Sequence, residues 1–112
     1  ETDYTLSRVV DYCDGWFPRG GRGFEPGELM SRLHRVADEA GRDRVDLDIS
    51  FGTPAGGSPA DDDFEADAHL AGLADLAALG VTWSSISVPG DSLDHAIETL
   101  ERFGEEVIAK SP

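Results

Sequence analysis

Cysteine is nearly absent from this sequence. The single Cys13 excludes an internal disulfide and a cysteine zinc cluster, and it suits a reducing compartment. Basic residues are scarce as well. Nine Lys and Arg stand against 23 Asp and Glu, a formal net charge of -14 at pH 7. A field of that sign repels DNA, RNA and anionic lipid headgroups, so neither nucleic acid nor a membrane is an expected partner. Long apolar runs are lacking: none approaches the roughly 20 residues that cross a bilayer. Nor is a basic leader followed by an apolar stretch visible, and the expected setting is cytoplasmic. What is present, 39% hydrophobic and 8% aromatic residues in a chain of 112, suffices for one packed domain spanning residues 1–112.

The few cations are unevenly placed. Arg8, Arg19, Arg22, Arg32, Arg35, Arg42 and Arg44 are seven of the nine, and only Arg102 and Lys110 follow them. Such an asymmetry fits a local anion site in an otherwise acidic chain. A merely uneven surface is the plain alternative.

Periodicity predicts helices alternating with strands. Pro26 suits a first helical position, where its missing N–H costs nothing. Leu29, Met30, Leu33, Val36, Ala37 and Ala40 then recur at helical spacing, and Gly41 supplies the stop. Val45 to Phe51 alternates apolar and polar residues with period two, a strand pattern. A Gly-, Pro-, Ser- and Asp-rich stretch from Gly52 to Glu65 reads as a long loop. A second helix runs from Ala66 to the stop at Gly80, with Leu70, Leu73, Ala74 and Ala77 on one stripe. Val81 to Val88 reads as another strand, and Asp91 or Ser92 caps a last helix. Leu93, Ala96, Ile97, Leu100, Gly104, Val107 and Ile108 are its expected buried face. At the amino end, Leu6, Val9 and Val10 close a partial helix that leads into a short strand over residues 14–18.

The resulting order is a parallel βαβαβα arrangement of the α/β class, with right-handed crossovers. Asp46, Asp48 and Ser50 share one strand face, and Thr82, Ser84, Ser85 and Ser87 make the last strand polar. A barrel interior open to a ligand would account for this. An edge strand with one wet face accounts for it equally.

The segment Leu6-Ser7-Arg8-Val9-Val10-Asp11-Tyr12-Cys13-Asp14-Gly15-Trp16-Phe17-Pro18 resembles part of the luciferase-like flavin- or deazaflavin-dependent oxidoreductases. In that family a helix bearing a basic residue leads into an Ala-Asp-Gly-Trp-like strand; Cys13 stands where the small Ala is usual. Glu39-Ala40-Gly41-Arg42-Asp43 and Leu76-Ala77-Ala78-Leu79-Gly80-Val81 are similar to its later units. The resemblance implies a partial (β/α)8 TIM barrel comprising the last three βα units, because a whole barrel needs about 250 residues. It implies monooxygenase or hydride-transfer chemistry on a small-molecule substrate, with FMN or coenzyme F420 as cofactor. The cofactor phosphate would sit in the loop Phe17-Pro18-Arg19-Gly20-Gly21-Arg22. The residues suit this: glycines let backbone N–H groups approach an anion, and arginines neutralise it. The expected partner is the missing N-terminal half of the barrel, or a second copy through open sheet edges, and the chain alone is expected to be inactive. The alternative from the residues themselves is a small non-catalytic α/β module that binds an anionic ligand or a protein partner.

Other residue types carry weaker chemistry. His34, His69 and His95 fall in separate helices without metal-ligand spacing and read as surface or boundary histidines. Asp61-Asp62-Asp63 lacks the alternation of a calcium loop and reads as solvated. Asp46 and Asp48 could pair for acid–base work, although their place early in a strand favours a buried structural role. Trp16 and Trp83 read as core or lining aromatics, and Cys13 as a small buried hydrophobe.

Overall fold

A computed structural model describes residues 2–18 and 25–111. The chain divides into two compact units. The first holds the described residues up to Phe51 together with Leu76–Ser84; the second holds Gly52–Asp75 and the described residues from Ser85 onward.

In the first unit, α1 (Asp3–Tyr12) starts at Thr2, whose hydroxyl accepts the Thr5 N–H at 3.3 Å. Helix α2 (Pro26–Ala40) places its proline in the first turn and ends at Gly41, which takes the left-handed conformation at φ 76°. That conformation lets the Arg42 N–H reach back to the Ala37 carbonyl at 2.9 Å. Leu6, Val9 and Val10 on α1 meet Leu29, Met30, Leu33 and Ala37 on α2, because both sets recur on one helical face. The Arg42 guanidinium donates to the Val10 carbonyl at 2.8 Å, fixing the end of α1 to the turn after α2. Two short strands, β1 (Gly15–Trp16) and β2 (Asp48–Ile49), pair in parallel, with Gly15 opposite Asp48 and Trp16 opposite Ile49. Leu47, Ile49, Phe51, Leu76 and Val81 complete this core, and Trp16, Val36 and Leu79 pack against it.

Helix α3 (Ala66–Leu79) contributes residues 66–75 to the second unit and 76–79 to the first. The second unit also contains α4 (Leu93–Glu106), capped by the Ser92 hydroxyl accepting the His95 N–H at 3.1 Å. Its interior is built around His69, 2% exposed, with Phe64 and Phe103 each set against that imidazole. Thr99 and Val107 are buried with them. The loop preceding α3 is closed by the Glu65 N–H donating to the Gly56 carbonyl at 2.9 Å.

This architecture corrects the expectation of a βαβαβα barrel fragment. The described residues are mostly helical, with four α-helices and only a two-stranded parallel sheet. Two local causes stand out. Arg44–Asp46 winds into a 3-10 turn, which removes the first two residues of the expected 45–51 strand. The 81–88 segment makes a single parallel bridge, Ser50 to Trp83, and then runs irregularly. Thr82, Trp83, Ser84, Ser85, Ser87 and Val88 are all exposed there. Beyond the buried Val81 no continuous face is covered, so the segment gains little from a pleated ladder.

Candidate functional site

The first two residues of the expected phosphate loop, Phe17 and Pro18, follow the carboxyl end of β1. Strand β1 can sit where it does because residue 15 is glycine. A Cβ at that position would lie 2.6 Å from the Asp48 carbonyl oxygen and 3.2 Å from the Asp48 Cβ. Any side chain there would push β1 away from β2 and open the Asp48 N–H to Asp14 carbonyl bond, 3.0 Å. Beyond it, Trp16 is half-buried against the core and its carbonyl accepts the Ser50 N–H at 3.0 Å. Phe17 is 70% exposed, whereas Pro18 is buried. Arg19, Gly20, Gly21 and Arg22 lie outside the described residues.

Residues 81–84 continue this edge of the first unit. The Ile49 carbonyl accepts the N–H groups of Thr82 and Trp83, both at 2.9 Å, and the Phe51 N–H donates to the Trp83 carbonyl at 3.1 Å. The Thr82 hydroxyl accepts the Ile49 N–H at 2.9 Å and lies 3.3 Å from Asp48 Oδ1, to which it donates. Asp48 is therefore exposed and tied to a threonine, not set deep in a structural pocket. Asp46 leaves the strand in the 3-10 turn and is exposed, so the two carboxylates do not form an acid–base pair. Trp83 is 65% exposed, a correction to its reading as a core aromatic; the bridge holds its backbone and leaves the indole open. Cys13 is exposed as well, not a buried hydrophobe, because it caps α1 at the surface. Asp61, Asp62 and Asp63 are exposed, in keeping with a solvated loop.

Two further clusters escape sequence reasoning. On the outer side of α2, Ser31, His34, Arg35, Asp38, Glu39 and Arg44 line an open depression of about 330 Å³. The Arg44 guanidinium grips the Asp38 carboxylate with two bonds, of 3.1 and 2.6 Å. That hydrogen bonding lowers the Asp38 carboxyl pKa and raises the Arg44 one. Partial burial, followed by the Arg44 charge, lowers the His34 pKa against the opposing pull of Asp38.

In the second unit, Ala60, Asp62, His95, Glu98, Thr99 and Arg102 surround a cleft of about 150 Å³. His95 Nδ1 meets the Asp91 carboxylate at 2.9 and 3.0 Å, and its Nε2 meets the Ala60 carbonyl at 3.1 Å. Arg102 donates to the carbonyls of Pro59 and Asp61. The only sequence signal for this cluster is the four-residue step from Asp91 to His95 across a helix start. The loop carbonyls leave no mark in the sequence.

Among the described residues no group of three or more His, Cys, Asp or Glu side chains is placed to hold a metal ion. Among them, too, no helix is long and apolar enough to cross a membrane. Comparison with protein-family models, with curated proteins and with solved structures returns no match.

Proposed function

We propose that residues 17–22 bind the phosphate of a flavin or deazaflavin cofactor, FMN or coenzyme F420, in an oxidoreductase of the luciferase-like kind. The observation that carries this reading is that Phe17 and Pro18 follow the carboxyl end of β1, which pairs in parallel with β2. Open parallel sheets gather ligands at their carboxyl ends. The residue types suit a phosphate: arginines at 19 and 22 carry positive charge, and glycines at 20 and 21 have no side chain to keep an anion from backbone N–H groups. When bound, the cofactor ring supplies hydride transfer or oxygen activation towards a small-molecule substrate. The chain's own part is to bind and orient the anionic tail. A free, exposed Cys13 is compatible with the reducing cytoplasm in which such a protein would work.

The test is a fluorescence titration of the chain with FMN and with F420, separately, for the wild type and for Arg19→Ala. One of the two cofactors binds the wild type, and losing one charge-assisted bond weakens it by about tenfold or more. Binding of neither cofactor, or equal affinity in the variant, overturns the assignment.

A further inference from the structure

Helix α4 carries two parallel lines of side chains. Leu93, Ile97, Leu100 and Gly104 follow one another at steps of four, three and four residues. The three large ones are 75%, 44% and 53% exposed, and Ile108, in the 3-10 turn beyond, is 64% exposed. One residue further along from each seam position stand Asp94, Glu98, Glu101 and Glu105, all exposed. The opposite face of α4 is used within the second unit. Thr99 is buried, Phe103 packs on His69, His95 bonds Asp91 and Ala60, and Arg102 bonds the loop carbonyls. Both α4 side chains able to carry positive charge are thus committed to that face, and the rim beside the apolar line is purely anionic.

A lone surface leucine needs no explanation. A row with the step pattern of a coiled-coil seam, bordered by charge of one sign, specifies a partner. We propose that this face of α4 docks a cationic amphipathic helix. Its apolar residues would lie against Leu93, Ile97 and Leu100, and its Lys or Arg side chains would meet Asp94 and Glu101 at the edge of the seam. Gly104 leaves a notch, since nothing lies within 4 Å of where its Cβ would be, and a bulky partner residue fits there. A second copy of the chain is the wrong occupant. Antiparallel pairing would set Asp94 against Glu101 of the other copy, and parallel pairing would offer neither of them an opposite charge.

The probes are two labelled helical peptides of about three heptads, both with Leu at the seam positions. One carries Lys at the flanking positions and its twin carries Glu. The expected result by fluorescence anisotropy is binding of the Lys peptide and none of the Glu twin. Leu100→Asp and Ile97→Lys, both at exposed positions and each checked for intact helix content by circular dichroism, weaken binding about tenfold or more. The double variant Asp94→Lys/Glu101→Lys exchanges the preference to the Glu twin. Neutralising the loop aspartates, Asp61→Asn/Asp62→Asn/Asp63→Asn, leaves affinity unchanged and separates docking from general attraction to an acidic protein. No binding of the Lys peptide, binding insensitive to Leu100→Asp, or equal loss in the loop variant overturns the proposal. So does light scattering that finds a dimer broken by Leu100→Asp, which would make a second copy the occupant.

Discussion

The imidazole of His95 holds both carboxylate oxygens of Asp91, at 2.9 and 3.0 Å, from one helical turn further along the chain. The other ring nitrogen faces the Ala60 carbonyl, which can only accept. An imidazolium donates to both partners at once; a neutral ring must leave one of them unmet. The hydrogen bond to Asp91 raises the His95 pKa, helped by the Ala60 carbonyl and the charges of Asp91 and Glu98 and opposed by partial desolvation. The same bond lowers the Asp91 pKa.

A pH dependence of stability follows, and its sign differs between two histidines. His95, raised in the folded state, contributes fully below the unfolded value of 6.5 and loses its contribution as pH rises through the folded value. Asp91, lowered, contributes above its unfolded 3.8 and loses this as pH falls. The pair is therefore strongest between about 3.8 and 6.5. His34 is lowered, so its contribution is present above 6.5 and is lost as pH falls. The difference between variants isolates each group. Thermal unfolding of His95→Gln should approach that of the wild type as pH rises past neutrality, and should lie measurably below it at pH about 5 to 6. A gap that widens with rising pH would contradict the assignment.

Gly15 sets the distance between β1 and β2. Gly15→Ala places a methyl group 2.6 Å from the Asp48 carbonyl oxygen, and backbone on both sides must move. The expected cost is about 1–3 kcal/mol, measured by urea unfolding. The same change displaces Phe17 and Pro18 at the start of the 17–22 segment, so affinity for the proposed cofactor should fall together with stability. An unchanged unfolding midpoint would show that the strands are not held at this spacing.

His69 is 2% exposed, and neither of its ring nitrogens has a hydrogen-bond partner among the described residues. Leaving such groups unmet costs about 1–3 kcal/mol, a penalty an apolar side chain would not incur. His69→Leu should raise stability by about 1 kcal/mol in urea unfolding, because the contacts to Phe64 and Phe103 at 5.4 Å are retained in part. A loss of 1 kcal/mol or more would mean that the nitrogens are satisfied in solution, for example by a buried water.

The amphipathic helices were legible from the sequence because their information is local. Pro26 and Gly41 bound α2 as expected, Leu79 ends α3 just before Gly80, and Ser92 caps α4. The strands were not legible to the same degree. Val45 to Phe51 has the alternation of a strand, yet its first residues turn, and 81–88 has strand-like composition yet forms one bridge. A strand is completed only by what lies beside it, and the alternation of one segment says nothing about its neighbours. The expected buried face beginning in α4 holds at Val107 but fails at Leu93, Ile97, Leu100 and Ile108, for a related reason. Periodicity located Leu93, Ile97 and Leu100 on one stripe but could not say which side of the helix the second unit would cover.

By itself, then, the amino-acid order determined where the chain coils into helices, where it must break, and the sign of its net charge. These follow from propensity, capping and charge, which act between near neighbours or through summed charge. Tertiary structure alone decided that Gly15 lies against Asp48, that His95 joins Asp91 to Ala60, that His69 is sealed between two aromatic rings, and that the apolar line of α4 faces outward. Each joins or excludes segments distant in the chain, and closing those distances costs entropy that only the packed whole repays.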